Sequence, residues 1–535
     1  FNGLSSDFRT VSGYLSLITS TDSFNDKAQG ERSSLMALGA RFSILDTRFT
    51  AWLGRFNAKE LIQTTKAKAH GYSLEKDMIY AQHLMGEEAE ELYSNLRASS
   101  SVAWSKLHDD LTSRATLRTK VKGSAKEYTI AELKSFSSDK EEGVRKAAFE
   151  AERELLTQHE VSFAAAMNSI KGQVNEVTKK RDWEGGLEQA LFINSMSSKS
   201  IEAMQEACRE AFPVFRRYLK AKANFMGKSK LPWYDLFAPL SVGKVKIYTW
   251  EEAQKFILEH FASYSDSLAT FAKRTFEENW HDVSPRKGKT GGAFCSSVPG
   301  RKESRLLHNF TGSLDDVFTL AHELGHAYHN ECMYRAKRTS MQRATPMTLA
   351  ETASIFCETM VVNALLEKAS DKEKLSILEQ DLQGATQLVV DIYSRFILEK
   401  TVFDKRRERE LSIDELKTTM LEAQKQTYGD ALGSYHDLMW AQKGHYYIAG
   451  LDFYNFPYTF GYLFGLGLYA DYKRQPEGFH ERYDKLLSST GMADARTLAK
   501  DFGIDIENVD FWRGSLSVAA NRVLEFENLV KALKK

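Results

Sequence analysis

The chain has 535 residues, 42% hydrophobic and 27% charged, ordinary globular proportions that exclude global disorder. Lys+Arg and Asp+Glu each number 72, giving zero formal charge, so no global field draws the chain onto nucleic acid or an anionic membrane. Four dispersed cysteines (Cys208, Cys295, Cys332, Cys357) with no CxxC pair exclude a disulfide scaffold and fit buried free thiols in a reducing, cytoplasmic setting.

The first residues, Phe1-Asn2-Gly3, carry no basic n-region or apolar h-region, and the missing initiator Met is consistent with a trimmed N-terminus. A domain boundary is expected at the basic, Ser/Thr-bearing stretch Thr116–Thr129. Glu132–Thr157 reads as one or two charged amphipathic helices. In Ile201–Leu219, Ile201, Met204, Cys208, Phe212 and Phe215 recur at helical steps, with Pro213 placed to kink or split the helix. Gly288–Gly300 and the following Arg305–Phe310 read as two short strands joined by a loop. Asn309-Phe310-Thr311 also fits a glycosylation sequon. Leu375–Leu398 again has helical spacing. Tyr462–Ala470, the longest nearly apolar stretch, is too short to span a bilayer. Within it Gly465-Leu466-Gly467-Leu468-Tyr469-Ala470 matches GxGxxA. No strand precedes it and no acidic partner follows, so these are read as helix-packing glycines. With only 8 prolines and few strand signals, the expected fold is mainly α with one small β-sheet.

The chemistry concentrates at residues 313–329. Ser313 and Asp316 have capping-box spacing, and Val317, Leu320, Ala321 and Leu324 continue a helix. His322 and His326 stand one turn apart, so both imidazoles project from one face and can close on one cation. Glu323 lies beside that face, where its carboxylate can reach a water on the metal without being a ligand. With 13 His in the chain, chance supplies about 0.03 such motifs. A helix with two surface histidines is the plain alternative, and the apolar flanks argue against it.

A catalytic metal needs a third protein ligand and an open position. Glu351 is the candidate, early in a second helix expected to start with Thr345 as N-cap and Pro346 as first residue. Its alternative use is a capping box with Thr348. Glu358, seven residues on, either orients a ligand histidine or is a structural acid. His329 is a rival ligand. However, the rise from His322 to His329 is about 10 Å, too far for three ligands on one straight helix to converge, so His329 is read as an orienting or packing residue. Gly292 and Ala293 begin a strand whose edge a substrate peptide could join as an added strand; a glycine-rich turn is the alternative.

His-Glu-Leu-Gly-His at 322–326 with Glu-Thr-Ala-Ser at 351–354 resembles the thimet oligopeptidase and oligoendopeptidase F family of zinc peptidases. The stretches 309–317, Tyr234–Leu240 and Gly291–Cys295 are similar to the oligoendopeptidase F branch, relative to which the N-terminus looks short by some tens of residues. The resemblance implies two helical halves flanking a deep substrate channel that admits short unstructured peptides. It implies a catalytic domain over 121–535 behind an N-terminal helical domain over 1–120. It also implies that His445, Tyr454 and Tyr458, with Tyr462 a rival, donate hydrogen bonds to the substrate carbonyl and its oxyanion. Phe456 stands where that branch often has a further Tyr.

The expected function is hydrolysis of internal bonds of short oligopeptides, with one Zn(2+) per chain on His322, His326 and Glu351 and Glu323 as general base. The runner-up is a related helical zinc carboxypeptidase or dipeptidyl carboxypeptidase. A second class is a non-catalytic peptide-binding protein with a structural zinc. No nucleic-acid or membrane partner is expected.

Overall fold

Helical-period hydrophobic runs and scarce prolines give a fold that is 71% helical with only small sheets. The computed structural model describes residues 2–64, 66–240 and 246–534. Two compact units emerge, each assembled from three chain segments. The first comprises Phe1–Leu84, Lys244–Ala369 and Phe460–Ser515; the second comprises Met85–Gly243, Ser370–Thr459 and Leu516–Lys535.

In the first unit a three-stranded sheet forms from β1 (His281–Asp282), β2 (Phe294–Val298) and β3 (Glu303–Leu307). β3 is central, parallel to β1 and antiparallel to β2, with Phe294 opposite Leu307 and Val298 opposite Glu303. The two strands expected around 288–310 are therefore present, but β2 starts at Phe294, after the glycines. Helix α1 (Asn2–Thr21) lies against β2: the Ser297 carbonyl is 3.3 Å from where a Cβ on Gly13 would sit, and Gly300 N–H donates to Thr10 Oγ1 at 2.9 Å.

Helix α2 (Leu314–Arg335) starts at the expected capping box, with Asp316 N–H donating to Ser313 Oγ and Asp316 accepting from Ser313 N–H. Helix α3 (Thr352–Lys368) is preceded by a short turn, Met347–Ala350, and the chain bends between them at Glu351. The expected start is thus shifted: Pro346, with extended backbone, occupies the N-cap position instead of Thr345. Met347–Lys368 is the one helical stretch among the described residues long and apolar enough to cross a membrane by composition, and 67% of that window is buried inside the fold.

Behind the sheet, His281 and His308 stack with Nδ1 of one 3.1 Å from Nε2 of the other, and His281 Nε2 lies 2.9 Å from Thr275 Oγ1. Thr275 donates its own proton to Ala272 O, so it accepts from His281, and His281 in turn accepts from His308. Both rings are neutral. Burial pushes His281 down to about 3, helped by the neighbouring His308 ring, which disfavours a second charge, and pushes His308 down to about 4, helped by the Lys289 ammonium. Below the ordinary histidine range, near 6.5, the unfolded chain takes up protons here that the folded chain refuses. Stability of this unit should therefore fall as pH drops from about 6.5 to 4, by up to roughly 1.4 kcal/mol per pH unit per histidine. Urea midpoints at pH 7.5, 6 and 5 measure this, and His308→Gln should flatten the trend; an unchanged slope in that variant would count against it.

In the second unit, Thr116–Thr119 and Lys126–Thr129 form an antiparallel hairpin, and residue 120, placed at the expected domain boundary, lies in its loop. Tyr128 of the hairpin is buried in a core with Leu155, Phe163, Trp440 and Tyr447. Ser198–Phe225 is one helix that runs through Pro213 without a break. Burial of Ile201, Met204, Cys208, Phe212, Phe215 and Leu219 outweighs the single hydrogen bond that the proline forgoes. The expected helix over 375–398 is three pieces: Asp371–Thr386, a π turn at Gln387–Asp391, and Ile392–Arg406.

Candidate metal centre and the residues around it

The metal-site geometry originates in a glycine. A Cβ on Gly325 would lie 2.5 Å from Ala353 O and 2.6 Å from Ser354 Cα, so only glycine lets α2 and the start of α3 approach this closely. The approach brings Glu351 onto both motif histidines. Its Oε2 is 3.3 Å from His322 Nε2 and 3.4 Å from His326 Nε2. The three donor atoms all lie within 4.8 Å of one another. Donors held 2.0–2.2 Å from one ion at tetrahedral angles are about 3.3–3.6 Å apart, so the two distances to Glu351 fit a shared divalent cation. Burial opposes ionisation of Glu351, but the two histidines beside it hold its carboxyl well below the usual range. Ser354 Oγ also donates to Glu351 Oε2 at 2.8 Å.

His322 Nδ1 lies 3.0 Å from Glu358 Oε2. A carboxylate only accepts, so the proton is on Nδ1 and Nε2 is left as a lone-pair donor toward the cation site. Glu358 is thus the orienting partner rather than an unrelated acid. Glu358→Ala should lower metal affinity by about 10–100-fold, measured by competition with a chromophoric chelator; unchanged affinity would return Glu358 to a packing role. His329 points elsewhere: it is buried, and its Nε2 is 2.8 Å from Thr490 Oγ1.

Glu323 is 6% exposed, with Oε2 buried and without a hydrogen-bond partner. The Cys295 backbone N–H of β2 hydrogen-bonds its carboxylate. Burial pushes the Glu323 carboxyl up, opposed by His322 and His326. A partnerless carboxylate oxygen next to a cation site is poised to take a proton.

Gly292 has φ +78° and nothing near its missing Cβ. It is exposed, Ala293 is half-buried, and both precede β2. Asn309 Nδ2 donates to Thr290 O and Gly292 O, at 2.9 and 2.8 Å, and so fastens this turn. Tyr462 is buried in the first unit. Its helix, Phe456–Arg474, packs on α3 through glycines: Cβ atoms on Gly461 and Gly465 would fall 2.6 Å from Glu351 Cβ and 2.8 Å from Ile355 Cγ2. Gly467 faces Phe511 and Ser515 instead. Gly465 and Gly467 are therefore packing glycines, as expected.

His445, Tyr454 and Tyr458 cluster in the second unit. The His445 and Tyr454 rings are 4.6 Å apart, and Tyr454 Oη is 2.9 Å from Tyr458 Oη. A buried clamp holds this segment. Lys171 Nζ donates to Glu399 Oε1 at 2.7 Å and Asp452 Oδ1 at 2.8 Å, and Glu399 also accepts the Phe453 N–H. Phe453 adopts φ +52°, a strained position the clamp stabilises. The sequence reading missed Gly325, Gly461 and the Cys295 N–H. Small residues at 325, 461 and 465 inside apolar helices were the available signal for the first two; no sequence signal marks a backbone donor.

A mainly helical fold with a His-His-Glu donor set and a partnerless acid beside it defines a metallohydrolase-like arrangement. The model of Peptidase family M3 matches residues 135–518, more than half of the chain, and the protein belongs to that family: it is a peptidase. It is similar to an oligoendopeptidase F homolog of Lactococcus lactis, 24% identical over 97% of this chain and 87% of the relative. Against the oligopeptidase PepF of Bacillus subtilis the figures are 24%, 89% and 71%. The crystal structure of oligoendopeptidase-F from Enterococcus faecium shares the fold, with TM-score 0.75 and 18% identity over 99% of this chain and 91% of that one.

Proposed function

We propose that the protein is a zinc-dependent endopeptidase that cleaves internal bonds of short, unstructured oligopeptides. The observation that carries this reading is the triad His322, His326 and Glu351, with Glu351 Oε2 3.3 and 3.4 Å from the two imidazole nitrogens and all three donor atoms within 4.8 Å of one another, and with the partnerless Glu323 oxygen on the adjoining helix position. The names of the relatives, oligoendopeptidase F and oligopeptidase, support the substrate class, and the family match over 135–518 supports 121–535 as the catalytic domain behind 1–120.

His322, His326 and Glu351 would hold one zinc ion, which when bound supplies a Lewis acid for the scissile carbonyl and for the attacking water. Glu323 takes the water proton through Oε2 and delivers it to the departing amine. Tyr454 and Tyr458 supply hydrogen bonds to the carbonyl oxygen as it gains charge, with His445 beside them and Tyr462 the alternative tyrosine. Gly292 and Ala293 are the backbone a peptide would pair with, since α1 already lies against the Ser297 end of β2.

A peptide library digested with and without chelator, with products mapped by mass spectrometry, tests this reading. Internal cleavage of short peptides, lost on chelation and restored by zinc, is the expected result. Release of terminal residues alone would move the assignment to a carboxypeptidase. Zinc bound at one equivalent without turnover would move it to a peptide-binding protein, and cleavage of folded domains as fast as short peptides would remove the length limit.

A further inference from the structure

Three side chains of the second unit lead from its interior to His445. Arg395, in the helix Ile392–Arg406, is 7% exposed, and Asn455 is 3% exposed. Arg395 Nη1 donates to Asn455 Oδ1 at 3.2 Å, and Nη2 pairs with Asp391. His445 Nδ1 is 2.8 Å from the same Asn455 Oδ1. A guanidinium carries donors only, so the carboxamide atom facing it must be the oxygen. That oxygen cannot donate to the imidazole, so the imidazole donates to it. The reversed carboxamide would set its NH2 against the guanidinium. The orientation adopted leaves Asn455 Nδ2 buried without a partner, so the carboxamide gives up a hydrogen bond of its own to keep its oxygen between the guanidinium and the imidazole.

We infer that Arg395 and Asn455 are positioning residues that lock His445 in its Nδ1–H tautomer, so that neutral His445 offers a lone pair at Nε2 and accepts, rather than donates, a hydrogen bond during peptide cleavage. The ring is held neutral by burial and by the positive charges of Arg395, Lys443 and Lys134, against the Asn455 hydrogen bond; Asp391 is paired with Arg395, and the other group on the ring is Tyr454. The acceptor suits a substrate backbone N–H or a tyrosine hydroxyl. In the Tyr454–Tyr458 pair one phenol donates to the other. The donor role expected for His445 from the resemblance then passes to the tyrosines.

This inference rests on the proposed role of His445 in cleavage, and the experiment separates the two. Long-range 15N–1H correlation of the histidine-labelled protein at pH 7.5, with His445 assigned by His445→Gln, should show an Nδ1–H ring. An Nε2–H ring overturns the inference outright. Asn455→Asp places a carboxylate between Arg395 and the ring and stabilises imidazolium, so the acid limb of kcat/KM should move up by about one pH unit. A merely structural Asn455 would lower activity with the limb unmoved, which also overturns it. If Asn455→Asp does not fold, the wild-type correlation decides alone. Full activity in His445→Ala would sink the catalytic role while leaving the tautomer assignment standing.

Discussion

Glu323→Gln should lower kcat by about 10²–10⁴-fold while the protein still binds one metal ion per chain. Gln has the shape of Glu and keeps an oxygen for the Cys295 N–H, but it cannot take a proton. It is not among the three donors to the cation site, so metal content should not change. The substitution also replaces a carboxylate whose ionisation burial disfavours, so the melting temperature should hold or rise slightly. Steady-state kinetics with metal analysis on the same preparation checks all three. Retained activity would remove Glu323 from the reaction, and loss of metal along with activity would make it a ligand.

The second large effect is expected at a residue with no chemistry of its own. Gly325→Ala drives a methyl group to 2.5 Å from Ala353 O and 2.6 Å from Ser354 Cα. Both are backbone, so the helices must separate. Overpacking of this kind costs about 3 kcal/mol. Because α2 carries the histidines and α3 begins at Glu351, separation should also loosen the donor set and weaken metal binding by at least about tenfold. Gly384→Ala is the control: it is also a helical glycine, exposed and with nothing near its missing Cβ. That change should stabilise by about 0.5–1 kcal/mol and leave metal binding alone. Thermal melts and metal titration on the two variants make the comparison. Equal metal affinity in both would show that the close approach at Gly325 does not set the site.

Much of the site was legible because its elements are local. His322, Glu323 and His326 share one helix turn, and the capping box that starts that helix lies nine residues before His322. Both can be read from spacing alone. Glu351 was reachable because an acid in an apolar run is unusual. Other features were misread because tertiary burial decides them. Pro213 does not break its helix, since the apolar face holds it. Thr116–Thr129, where a domain boundary was expected, forms a hairpin that periodicity did not indicate, since Tyr128 has a core to enter. Asn309 fastens the Gly292 turn, a use its sequon spacing does not announce.

The sequence by itself determined that the chain is mainly helical, that two imidazoles and a carboxylate can meet one cation, and which family it belongs to. These follow from periodicity, i/i+4 geometry and motif identity, all short-range properties of the chain. Only the tertiary structure decided that Glu358 and not His329 serves the histidines, that Glu323 keeps a partnerless oxygen, and that His445 is held with its proton on Nδ1. Each depends on which atoms from distant segments share a buried space, and in that space hydrogen-bond donors and acceptors must match one to one.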